Sequence, residues 1–128
     1  MYKQNKYGNV KGTYDGITFD SRKEANRYAE LKLLQRAGEI RDLERQKPYE
    51  LIPAQYESYP RYGKDGKRLK DGERCVEKSC RYVADFVYTT RDGKVVVEDT
   101  KSEATRTKEY TIKRKLMLYV HGIRVREV

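Results

Sequence analysis

The sequence has no tryptophan, two phenylalanines, two cysteines, one histidine and three prolines in 128 residues. A zinc centre would therefore have to bring His121 to the C-x4-C pair Cys75 and Cys80, and two reduced, non-catalytic thiols are the simpler expectation. No apolar run approaches the roughly 20 residues that cross a bilayer, and the first residues lack the apolar stretch of a signal peptide. A cytosolic protein without a membrane role is expected. Apolar residues are scarce too, at 37% of the chain with a mean hydropathy of -1.03, which predicts one domain with a thin core and a heavily charged surface. Their grouping into periodic runs argues for a folded chain rather than a disordered one.

Charge and tyrosine are abundant. With 29 Lys and Arg against 20 Asp and Glu, the formal charge is +9, which favours a polyanionic partner and nucleic acid first. The 12 tyrosines suit wet, half-buried surfaces and interfaces.

Residues 1–13 carry Lys3, Lys6 and Lys11 and no acid, a basic arm suited to a phosphate backbone. Ser21 and Glu24 have the spacing of a capping box, and Ala25, Tyr28, Ala29, Leu31 and Leu34 form an apolar stripe. A helix is predicted over 21–37, stopped by Gly38. A strand follows through PYELIPAQY, where Pro48 and Pro53 suggest a sheet edge or a bulge. Residues 57–79 hold Gly63, Gly66 and Gly72 amid mixed charge and predict a long loop or β-ribbon projecting from the core. Its cations Arg61, Lys64, Lys67, Arg68, Lys70 and Arg74 are suited to DNA, diluted by five acids. Strands at about 80–89 and 94–101 come next, then a helix over 107–121 that carries Lys108, Lys113, Arg114 and Lys115. Gly122 ends it, and IRVREV supplies a last strand. The second helix can act as a crossover between parallel strands.

The stretch ADFVYTTRDGKVVVEDTK, residues 84–101, reads as a hairpin. Val95, Val96 and Val97 leave no polar face, which predicts a central strand covered on both sides. A two-residue turn at Asp92-Gly93 would set Asp85 opposite Thr100, on a face with Glu98. A three-residue loop, with Gly93 left-handed, would set it opposite Asp99 on a face with Lys101. In the second register two carboxylates meet and repel unless a cation lies between them, and oxygen ligands favour Mg2+ or Mn2+. Lys101 would then stand beside the ion and stabilise charge on a phosphate. The plainer alternative is a structural ion pair between Lys101 and one aspartate.

These residues, with Glu24 on the first helix, resemble the PD-(D/E)XK nuclease superfamily, and most of all its small phage and prophage proteins. The likeness runs through YDGITFDSRKEANRYAEL, LERQKPYEL, YVADFVY, VVVEDTK and the closing helix and strand. It implies an α/β, restriction-endonuclease-like αβββαβ core, a central mixed sheet flanked by helices, in a single domain spanning 1–128. Asp85 matches the motif aspartate, Asp99 the D/E position, Lys101 the lysine and Glu24 the helix acid, whereas Ala84 replaces the motif proline. Glu98 adjoins Asp99 and competes with it as a ligand. The resemblance further implies a Mg2+-dependent endonuclease, with Mn2+ as substitute and no organic cofactor. By analogy with small Holliday junction resolvases and transposon-end endonucleases, it implies a homodimer acting on branched DNA in the bacterial cytoplasm. Lys3, Lys6, Lys11, Arg61, Lys64, Lys67, Arg68, Lys108, Lys113 and Lys115 would contact DNA. Gln46, expected just before the first strand, could position water or substrate, with a structural amide the simpler reading. A non-catalytic DNA-binding module or an accessory protein of phage DNA replication, recombination or packaging is the alternative.

Overall fold

The computed structural model describes residues 12–128, so Lys3, Lys6 and Lys11 lie outside the described residues. The described residues open with a hairpin that the sequence reading missed, β1 (Gly12–Tyr14) and β2 (Ile17–Phe19). Its turn is Asp15-Gly16, at φ 52° and 73°. Two successive left-handed residues are what a two-residue hairpin turn demands, and Asp-Gly is its sequence signature.

Helix α1 (Arg22–Arg36) starts where expected: Ser21 Oγ accepts the Glu24 backbone N–H at 3.1 Å. Its buried residues are Glu24, Ala25, Tyr28 and Leu31, so a carboxylate shares the face that packs inward. Strand β3 (Ile40–Ile52) begins eight residues earlier than PYELIPAQY predicts. Asp42 and Gln46 adopt left-handed φ of 57° and 52°, and the pairing slips between Arg41 and Glu44. These irregularities erase the period-two pattern by which such a strand is read. Because β3 is an edge strand, Pro48 is tolerated within it. The segment expected as loop or ribbon is a ribbon, β4 (Gln55–Tyr62) paired with β5 (Arg68–Glu77).

Strands β6 (Cys80–Thr90) and β7 (Val95–Asp99) form the central hairpin. The Thr90 N–H donates to Lys94 O at 2.8 Å, the Gly93 N–H donates to Thr90 O at 3.0 Å, and Gly93 has φ 85°. This is the three-residue loop. Its register, Phe86 with Glu98 and Val87 with Val97, carries Asp85 opposite Asp99. Strand β7 is internal to the sheet, yet Val97 is buried while Val95 is 63% exposed, because the loop end of the hairpin extends past its cover.

Helix α2 (Lys108–His121) is capped by the Thr107 hydroxyl and ended by Gly122 at φ 67°. It returns the chain to β8 (Arg126–Glu127), parallel to β7 and shorter than IRVREV predicted. The described residues thus form a mixed α/β structure, with a four-stranded mixed sheet in the order β3-β6-β7-β8 and two helices. One apolar cluster joins α1 to Phe86 and Tyr88; the other joins α2 to Tyr82, Ala84, Val87 and Val97. Residues two apart on a strand belong on one face, but Ala84 and Phe86 lie in different clusters. Strand β6 therefore turns over at Asp85. The β3–β6 pairing skips Gln46 and Asp85 there while keeping the same offset on either side. No helix among the described residues is long and apolar enough to cross a membrane.

Candidate active site

The turnover in β6 aims the two oxygens of Asp85 across the sheet in opposite directions. Oδ2 accepts the Thr100 N–H at 2.9 Å and its hydroxyl at 2.8 Å, just beyond the end of β7. Oδ1 lies 3.5 Å from Gln46 Nε2, whose amide also donates to Glu24 Oε1 at 3.2 Å. The left-handed backbone of Gln46 thus places one amide between two carboxylates, mid-strand rather than before the strand as expected. Glu24 keeps its backbone in the Ser21 cap while its buried side chain turns to Gln46.

Asp99 is buried on the α2 side. Tyr82 OH donates to its Oδ2 at 2.8 Å, and Lys101 Nζ lies 3.6 Å from the same oxygen. The Lys101 ammonium also sits 4.2 Å from the centre of the Tyr110 ring. Its backbone is held from both sides, the N–H donating to Val128 O at 3.1 Å and the carbonyl accepting from Lys23 Nζ at 2.6 Å. The sequence singled out Asp85, Asp99, Lys101 and Glu24, and the fold brings these four into one neighbourhood. It missed Tyr82 and Thr100, whose hydroxyls orient the two aspartates; nothing in their spacing marks them.

Glu98 goes elsewhere. Fully buried, it accepts from Arg27 at 2.8 and 2.6 Å, and also from Tyr88 OH. That places it on the α1 side, where its charge is matched and where it raises the Tyr88 hydroxyl, already raised by burial, to about 12.

Crowding of carboxylates shows in their acidities. Burial, then the charges of Asp85 and Asp20, raise Glu24 from 4.5 to about 7. Burial and the adjoining Asp85 carboxyl hold Asp99 well above the usual carboxylate range, against the opposing pull of Lys101 and Tyr82. Among the described residues, no three carboxylates, thiols or imidazoles converge closely enough to enclose an ion as they stand. The donor set nevertheless fits a hard divalent cation: all its donors are oxygens, and burial together with mutual repulsion makes the Glu24 and Asp99 carboxyls harder to ionise than usual, a cost that a bound cation would relieve.

Two clefts meet at Asp85 and Lys101. One, of about 270 Å³, is bordered by Asp20, Ser21, Lys23, Glu24, Thr100 and Thr105 at the start of α1. The other, also about 270 Å³, is bordered by Arg81, Tyr82, Asp99, Thr107, Tyr110 and Lys113 beside α2. Of the predicted DNA contacts, Lys113 lines the second cleft and pairs with Glu109 at 3.2 Å; Lys108 and Lys115 are exposed on α2. Arg61, Lys64, Lys67 and Arg68 lie on the ribbon. Cys75 is exposed and Cys80 half-buried, both free, while His121 bonds Glu50 O at 2.6 Å.

Fold and site together define a mixed α/β protein whose sheet carries one aspartate midway along β6, a second at the end of β7, and a lysine two residues beyond it. Residues 4–126 match the family model described as "Protein of unknown function (DUF1064)", and the chain belongs to that family. No curated protein and no solved structure matches it.

Proposed function

We propose that the protein is a metal-dependent endodeoxyribonuclease of the PD-(D/E)XK type, with a restriction-endonuclease-like core. One observation carries this reading: Asp85, Asp99, Lys101 and Glu24, distant in sequence, meet where two clefts join. Asp85, Asp99 and Glu24 would hold Mg2+, or Mn2+ in its place, and the ion when bound supplies Lewis-acid activation of phosphate and water. Lys101 donates a hydrogen bond to a non-bridging phosphate oxygen as negative charge grows there, and Tyr110 and Asp99 hold its ammonium in place. Tyr82 and Thr100 fix the aspartates so that little reorganisation accompanies the reaction. Water adds to phosphorus and gives up a proton to solvent, the bridging P–O bond breaks, and the departing oxygen takes a proton from solvent.

The formal charge of +9 supports DNA as the substrate. Branched DNA, cut by a homodimer, is the specific role implied by resemblance to small junction resolvases.

The test is a cleavage panel of linear duplex, single-stranded, flap and four-way-junction DNA with Mg2+, Mn2+ or EDTA. Metal-dependent cutting that is lost in Asp99→Ala supports the reading. DNA binding without cutting of any substrate would replace it with a non-catalytic binding module.

A further inference from the structure

Strands β4 and β5 pair with each other along their length, and their residues belong to neither apolar cluster of the body. An isolated two-stranded ribbon is marginal in water unless side chains brace it across the strands. Here the bracing lies near the base. The Tyr59 ring covers Gly72, where an added Cβ would come within 2.4 Å of it. Arg74 stacks 4.8 Å from the centre of the Tyr59 ring and pairs with Glu57 at 2.7 Å.

Charge is segregated along this ribbon. Residues 55–60 and 71–77 hold one cation, Arg74, against the four acids Glu57, Asp71, Glu73 and Glu77. Residues 61–70, the tip, hold five cations against Asp65 alone. Asp65 is bound into the turn, accepting the Lys67 N–H at 3.0 Å, and Arg68 is matched by Asp71 at 2.6 Å. Among the described residues, Arg61, Lys64, Lys67 and Lys70 have no acidic partner within ion-pair distance. Packing asks for none of these four charges, since all four side chains are exposed. Their concentration beyond an acidic base is a pattern that solubility alone does not call for.

We infer that the ribbon tip is a remote anchor for the phosphate backbone of duplex DNA, gripping it through Arg61, Lys64, Lys67 and Lys70. This rests on the nuclease reading for its substrate, and adds that affinity comes in large part from outside the cleft. Strand β4 has eight residues, a reach of about 26 Å or about 8 base pairs. The acidic base discourages phosphate nearer the body and so confines contact to the end of the arm.

The experiment measures the affinity of the full chain for a 30-base-pair duplex across a salt series with EDTA present. The variant Arg61→Gln/Lys64→Gln/Lys67→Gln/Lys70→Gln is compared with wild type. A second variant, Arg61→Lys/Lys64→Arg/Lys67→Arg/Lys70→Arg, keeps every charge. Each phosphate contact contributes about 0.9 to the slope of log affinity against log salt. The neutral variant should lose about 3.6 from that slope and bind at least tenfold more weakly at 0.1 M salt, while the charge-keeping variant should match wild type. A steep wild-type slope retained by the neutral variant overturns the anchor and leaves the nuclease reading standing. A wild type with no salt-dependent affinity for duplex also overturns the anchor, and the nuclease reading is then decided by the cleavage panel alone.

Discussion

Glu24→Gln should stabilise the metal-free protein, and only at neutral to alkaline pH. In the fold, burial and the charges of Asp85 and Asp20 raise Glu24 from 4.5 to about 7. The folded chain therefore holds a proton on Glu24 that the unfolded chain has already released. Between pH ~4.5 and ~7 folding takes up that proton, so stability falls as pH rises through this window and levels off above it. At ~1.4 kcal/mol for each tenfold change in acidity, the accumulated loss is ~3 kcal/mol. Glutamine keeps the oxygen that accepts from Gln46 and leaves the Ser21 cap intact, yet carries no charge to desolvate. Wild type and variant should thus unfold alike near pH 4 and differ by ~3 kcal/mol at pH 8, on the order of 10 °C in Tm. Thermal unfolding followed by circular dichroism in EDTA reads this directly. Equal pH dependence in the two proteins would show that Glu24 is not crowded, and the case for a cation there would lose its physical basis. Added Mg2+ should reverse the order at pH 8, stabilising wild type more than the variant.

Asp85→Asn and Asp99→Asn should each abolish cleavage and leave duplex affinity intact or improved, since each removes negative charge near phosphate; gel-shift and cleavage assays on one preparation separate the two effects. Lys101→Ala should lower the single-turnover rate by roughly 10²–10³-fold, the scale for losing one electrostatic donor, with calorimetric metal affinity little changed. Arg27→Met strands the fully buried Glu98 and should cost ~3–5 kcal/mol in denaturant unfolding, most of it recovered when Glu98→Gln is added.

The sequence announced elements whose local chemistry was self-sufficient. Ser21, Gly38, Thr107 and Gly122 mark the helix ends because capping is decided within a turn. The hairpin left two registers open, since T-R-D-G-K suits either loop and only tertiary packing selects between them. What was hidden depended on distant partners. Strand β3 reads poorly because Asp42 and Gln46 interrupt its alternation, and the reason for Gln46 lies on α1 and β6. The roles of Tyr82 and Thr100 follow from the same turnover at Asp85. For the ribbon, counting charges over the whole insert concealed their separation, which emerges only once the strands are paired and the tip located.

The adjacent acids Glu98 and Asp99 divide between two tasks because neighbouring strand residues face opposite layers. Asp99 turns toward α2 and meets Tyr82 and Lys101; Glu98 turns toward α1 and meets Arg27. Arg27 stands three residues after Glu24, nearly one turn along the same helix face. The ion pair therefore joins α1 to β7 beside two of the three acids of the proposed site, Arg27 near Glu24 on the helix and Glu98 next to Asp99 on the strand. If α1 slid along the sheet, Glu24 would part from Asp85 and Asp99, and the same slide would pull Arg27 off Glu98. Removing that partner from a carboxylate with no solvent exposure is costly. The clamp thus converts a loose relation between a helix and a strand into a fixed one. A site built from two separate layers needs that, with Asp85 as the one acid reaching across the sheet between them.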